Sequence, residues 1–113
     1  MNKVIKDGRV AILYSPSYGA GWYSWNTRHP ELIYMPEIVK LVQKKKDGLI
    51  NISEMIQKID ELIELKYEKN EVYTGGSEDL DIAWLPEGTS FNITDYDGFE
   101  SINLREEINW QIA

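Results

Sequence analysis

Leu80-Asp-Ile-Ala-Trp-Leu-Pro-Glu-Gly-Thr-Ser-Phe-Asn-Ile-Thr-Asp-Tyr-Asp-Gly-Phe-Glu-Ser-Ile-Asn-Leu-Arg105 carries three alternating stretches cut by two glycine-bearing turns. Alternation puts successive side chains on opposite faces of a strand, so Leu80–Leu85, Ser90–Thr94 and Glu100–Arg105 read as β. Pro86-Glu-Gly88 and Tyr96-Asp-Gly98 are the turns between them, and Ile108-Asn-Trp-Gln-Ile112 reads as a last alternating piece. Strands joined this tightly run antiparallel, which predicts a C-terminal meander.

The pattern changes upstream. Ile52, Met55, Ile56, Ile59 and Ile63 recur at helical spacing, with Glu54, Lys58, Glu61 and Glu64 on the other side. Asn51 followed by Glu54 is a capping box, and the helix should end between Leu65 and Glu68. A shorter helix is predicted from Pro36, with Ile38, Leu41 and Val42 inward. Its cationic last turn is stopped by Asp47-Gly48. Before it, Val4-Ile5 and Arg9–Tyr14 flank a tight Asp7-Gly8 turn. Between Thr74 and Leu80, Gly75-Gly-Ser-Glu78 reads as a flexible link. The whole chain, 1–113, is therefore expected to be one α+β domain: an N-terminal β-hairpin and a C-terminal antiparallel meander with two helices inserted between them.

Composition narrows the function. The chain has 113 residues, 42% hydrophobic, with no Cys, which excludes disulfides, thiol nucleophiles and Cys-ligated zinc. No run of 18 apolar residues exists, so an intracellular protein away from membranes is expected. A net charge of −7 argues against a nucleic-acid polymer as partner. Nine carboxylates against three lysines fall between Glu54 and Asp81. That run is either a solvated helix face or an acidic surface for a basic partner.

The densest chemistry lies in Ser15-Pro-Ser-Tyr-Gly-Ala-Gly-Trp-Tyr-Ser-Trp-Asn-Thr27. Tyr18, Trp22, Tyr23 and Trp25 offer flat faces with polar edges, and Gly19 and Gly21 allow close backbone approach. Such a loop either grips a flat ligand or folds back to plug the core. Gly19-Ala-Gly21 lacks the third glycine of a dinucleotide fingerprint. His29, the only histidine, has no nucleophile or oxyanion hole arranged by the sequence. Asp95-Tyr-Asp97-Gly98 lacks the acids of a calcium loop, so no metal and no cofactor are expected. The three arginines, Arg9, Arg28 and Arg105, are the candidate phosphate anchors, unless Arg9 and Arg105 pair with Asp7 and with Glu106 or Glu107.

Residues 10–26 and 82–102, about a third of the chain, resemble the first described Thoeris anti-defence family of phage and prophage proteins. The resemblance implies binding without catalysis. Members act as sponges for a cyclic ADP-ribose isomer, such as glycocyclic ADP-ribose, in the cytoplasm of an infected bacterium. It further implies a homodimer or higher oligomer, with cyclic oligonucleotides taken up at separate sites in some members. Carried over by position, the ligand-binding residues are Gly19, Gly21, Trp22, Trp25, Phe91 and Asn92, with Arg28 and Arg105 assigned to the phosphates. In this scheme Trp22 or Trp25 and Phe91 sandwich the adenine. Asn92 departs from the pattern, since a basic residue is expected there. The competing readings are an acidic inhibitor of a defence effector and a hydrolase built around His29.

Overall fold

The structure is a computed structural model and describes residues 2–104; the predicted strand at 108–112 and Arg105 lie outside that range. Elements run β1 (Ile5–Lys6), β2 (Arg9–Tyr14), α1 (Pro36–Lys46), α2 (Ile52–Lys66), β3 (Asp81–Pro86), β4 (Phe91–Tyr96) and β5 (Phe99–Leu104). Short 3-10 turns occupy Pro30–Ile33 and Ser77–Asp79. This is the α+β order read from the sequence, with both helices between an N-terminal hairpin and the last three strands.

Local chemistry explains most boundaries. Pro36 opens α1 where its missing N–H costs nothing, and Lys44, Lys45 and Lys46 sit at the negative end of the helix dipole. Asn51 caps α2, its Oδ1 accepting from the Glu54 N–H at 2.8 Å. Met55, Ile59 and Ile63 are the buried stripe of α2, whereas Ile52 is largely exposed. The first turn of the helix runs beyond the core.

The three C-terminal strands divide between two sheets. β3 leaves its sequence neighbours and pairs antiparallel with β2, Ile12 opposite Ala83, giving the order β1-β2-β3. β4 and β5 form a separate two-stranded sheet, with Asp95 opposite Glu100. β2 is central and its residues Val10 to Leu13 are buried on both faces, which a fully apolar strand permits. One core joins these residues to Trp22, Leu32, Ile38, Val42, Met55, Ile59, Leu80 and Ile82. The predicted flexible link is instead ordered. Ser77 is buried, and a Cβ on Gly76 would stand 2.9 Å from the Ala20 carbonyl oxygen, so this segment packs directly on the aromatic loop. No helix among the described residues is long and apolar enough to cross a membrane.

Candidate functional site

The aromatic loop leaves β2 at Ser15 and is fastened at several points by groups remote in sequence. Glu100, fully buried on β5, accepts from the Ser15 N–H at 2.8 Å and from the Ser24 N–H at 2.7 Å. Its own N–H donates to the Ser15 carbonyl at 2.9 Å, hooking the β4–β5 hairpin onto the end of β2. Among the described residues no cation pairs with it. The two backbone donors therefore supply its compensation for burial. Asn26 is a second clip. Its Nδ2 donates to the carbonyls of Trp22 at 2.7 Å and Tyr73 at 2.9 Å, and its Oδ1 accepts from the Tyr73 N–H at 2.8 Å.

Close backbone approach completes the clamp. The Gly19 N–H donates to the Asp97 carbonyl at 2.8 Å. Asp97 and Gly98 both have positive φ, the geometry of a type I′ hairpin turn. A Cβ on Gly98 would fall 1.9 Å from the Gly19 carbonyl oxygen, so no side chain fits. A Cβ on Gly21 would meet Ser24 Oγ at 2.0 Å and Glu100 Oε2 at 3.2 Å. These glycines let the loop and the hairpin touch, and the Gly19 N–H is taken up by the Asp97 carbonyl.

The rings separate into two groups. Trp22 is fully buried, its Nε1 donating to the Leu32 carbonyl at 3.1 Å, so it plugs the core and presents no face to a ligand. Trp25 is 48% exposed and packs on Tyr73 with centroids 5.1 Å apart; Tyr18 is 68% exposed and rests on Phe99 at 5.2 Å. Tyr18 and Trp25, with Gly19, Asp95, Asp97 and Gly98, line a cleft of about 670 Å³.

That cleft has an acidic floor. Asp95 is held below the usual carboxylate range, first by the neighbouring Ser24 hydroxyl and then by the Gly98 N–H, which donates to Oδ1 at 2.7 Å. Slight burial opposes this, and the Trp25 indole adds a weaker pull. The Ser24 hydroxyl is buried and makes no hydrogen bond of good geometry among the described residues, so the Gly98 N–H is the well-formed donor to Asp95. Among the described residues neither Lys nor Arg lines the cleft.

The other residues singled out from the sequence lie elsewhere. Phe91, at the far end of β4 from Asp95, is about 13 Å away by the rise of a strand. It lines a separate small cleft with Lys3, Tyr34 and Leu85. Phe91 therefore does not sandwich one ring with Trp22 or Trp25 within one copy of the chain. Asn92 is exposed on β4, opposite Asn103. Arg28 is exposed and forms no ion pair among the described residues.

Sequence reasoning missed Glu100, Asn26 and the surroundings of His29. The signal for Glu100 was present: alternation sets it on the same face as Ile102 and Leu104, an acid in an inward position. Nothing local marks Asn26. His29 stands between two carboxylates, Nδ1 3.3 Å from Glu31 and Nε2 3.2 Å from Glu71, so a substrate would have to displace one to use it as a base. Glu31 also accepts from the Tyr67 hydroxyl at 2.7 Å. Burial pushes the Tyr67 hydroxyl well above the usual phenol range, and Glu31 and Glu71 push it further. No group of three or more His, Asp or Glu side chains is placed to hold a metal among the described residues.

The fold and the site define an α+β protein with a clamped aromatic loop over an acid-floored cleft. Compared with models of known families, with curated proteins and with solved structures, the chain matches none.

Proposed function

We propose that the protein binds a small nucleotide of the cyclic ADP-ribose type without altering it, and so withholds an immune signal from a bacterial defence system. The observation that supports this reading is the pair of exposed rings, Tyr18 and Trp25, on a backbone clamped by Glu100 and Asn26. A preformed platform loses little entropy on binding, and stacking one base contributes about 1–3 kcal/mol.

The acidic floor constrains the orientation of the ligand. A phosphate charge about 4 Å from a carboxylate is unfavourable by about 4 kcal/mol at an effective dielectric near 20, which outweighs one stack. The base and ribose therefore enter the cleft and the phosphates stay outside it. Asp95 and Asp97 are acceptors for ribose hydroxyls, the role an acidic residue plays in dinucleotide-binding folds. The phosphates are left to Arg28, to Arg105 or to a second copy of the chain in a homo-oligomer.

A release experiment tests the reading. Purified protein is incubated with glycocyclic ADP-ribose, freed of excess ligand and heat-denatured, and the released nucleotide is identified by mass spectrometry. Intact nucleotide in near-stoichiometric yield, lost in Trp25→Ala, is the expected result. A hydrolysed product would replace sequestration with catalysis.

A second reading rests on the exposed carboxylates of α2, Glu54, Glu61 and Glu64, together with the acidic floor. These suit a basic protein partner. Under that reading no nucleotide is retained, and neutralising α2 abolishes the inhibitory activity.

A further inference from the structure

A second cleft, at the other end of β2, has the opposite chemistry. It measures about 330 Å³ and is lined by Lys6, Asp7, Arg9, Gln43 and Trp84. We propose that this cleft is a binding site for a phosphate group carried on a flat ring, as in a mononucleotide, with Arg9 and Lys6 on the phosphate and Trp84 against the ring.

Strand register assembles it. Lys6 lies opposite Arg9 in the β1–β2 hairpin. Trp84 lies opposite Ala11, two residues along from Arg9. Positions two apart on a strand share a face, so both cations and the indole stand on one side of the sheet. Gln43 enters from α1, and Lys40, three residues earlier, shares its face of that helix.

The lining carries two cations, Lys6 and Arg9, against one carboxylate, Asp7, so its net charge favours an anion although the chain as a whole is acidic, the reverse of the cleft holding Asp95 and Asp97. Arg9 lies two residues from Asp7, yet it pairs with neither Asp7 nor any other carboxylate among the described residues. Its planar fork is therefore available for two phosphate oxygens at once. Trp84 is only partly buried and leaves surface for a ring. The volume is at the small end for ligand sites, which suits a mononucleotide better than a dinucleotide.

The site does not depend on the aromatic loop. Arg9 begins β2 and the loop leaves after Tyr14, about 17 Å along the strand. The test is accordingly made in full-length Trp25→Ala protein, in which the loop cleft has lost a stacking face. Calorimetric titrations with AMP, adenosine and inorganic phosphate at about 50 mM salt separate the contributions. AMP is expected to bind, adenosine at least tenfold more weakly, and Arg9→Gln should weaken AMP at least tenfold with an unchanged melting temperature. Lys6→Gln is the second variant, expected to weaken AMP severalfold if Arg9→Gln does not fold. Trp84→Leu should weaken AMP but leave inorganic phosphate unaffected. Phosphate binding as tightly as AMP, with Trp84→Leu neutral, would overturn the ring contact and leave a simple anion site. No AMP binding, or unchanged AMP binding in both cation variants, overturns the proposal.

Discussion

Replacing Glu100 by Gln exchanges one carboxylate oxygen for NH2 and tests how the loop is held. In the native protein both carboxylate oxygens accept backbone hydrogen bonds, from Ser15 at 2.8 Å and Ser24 at 2.7 Å. The amide retains one acceptor and turns its NH2 towards the other donor. One buried N–H is left without a partner, which costs about 1–3 kcal/mol. The surviving bond loses its charge assistance, roughly half its strength. The sum is about 2–4 kcal/mol, a large part of the roughly 5–15 kcal/mol that holds a domain folded. Equilibrium unfolding in urea, followed by tryptophan fluorescence, measures it directly. The midpoint should fall with the m-value unchanged, because the surface exposed on unfolding is nearly the same. A loss below about 0.5 kcal/mol, the size of an ordinary surface substitution, would refute the reasoning that a buried carboxylate fastens the loop.

Three further outcomes follow from the same geometry. Gly98→Ala puts a methyl 1.9 Å from the Gly19 carbonyl oxygen at a positive φ, so its melting temperature should fall by more than that of Gly8→Ala, which meets nothing within 4 Å. Trp22→Ala should destabilise the fold by about 3–5 kcal/mol, as large core truncations do, whereas Trp25→Ala should stay folded and lose nucleotide at least tenfold; the opposite pattern in unfolding and binding assays would reverse their roles. Tyr67→Phe addresses pH. Burial raises the Glu31 pKa, but the Tyr67 hydroxyl, its own backbone N–H and His29 outweigh burial and hold it below the usual carboxylate range. A depressed carboxyl pKa stabilises the fold above the unfolded value near 4.3, and that stability is lost as pH falls through the folded value. The melting-temperature gap between wild type and Tyr67→Phe should therefore be widest near neutral pH and narrow below about pH 4. A gap that widens in acid would contradict the sign.

The candidate site was less legible than the elements around it. The aromatic loop was conspicuous, but its four rings look alike in the sequence and only packing sorts them. Trp22 goes to the core because its indole N–H finds the Leu32 carbonyl there, while Trp25 and Tyr18 stay at the surface. Within one copy of the chain Phe91 does not sandwich a ring with a loop tryptophan for a geometric reason: it begins β4, whose other end, at Asp95, is the one that meets the loop cleft. Asp97 reads as a turn residue, and only the tertiary structure brings it and Asp95 into one cleft with the rings.

What the sequence determined by itself is what acts over a few residues. Pro36, the Asn51 cap and the Met55-Ile59-Ile63 stripe place the helices, and Asp7-Gly8 and Asp97-Gly98 place the hairpins, because caps, turns and periodicity are satisfied within one or two turns of chain. The tertiary structure alone decided which strands share a sheet and what fastens the loop. β3 prefers β2, some 70 residues earlier, to its own neighbour, and Glu100 reaches back 85 residues to Ser15. Such partners are chosen by burial and by the need to satisfy every buried donor, and those demands exist only once the chain has closed on itself.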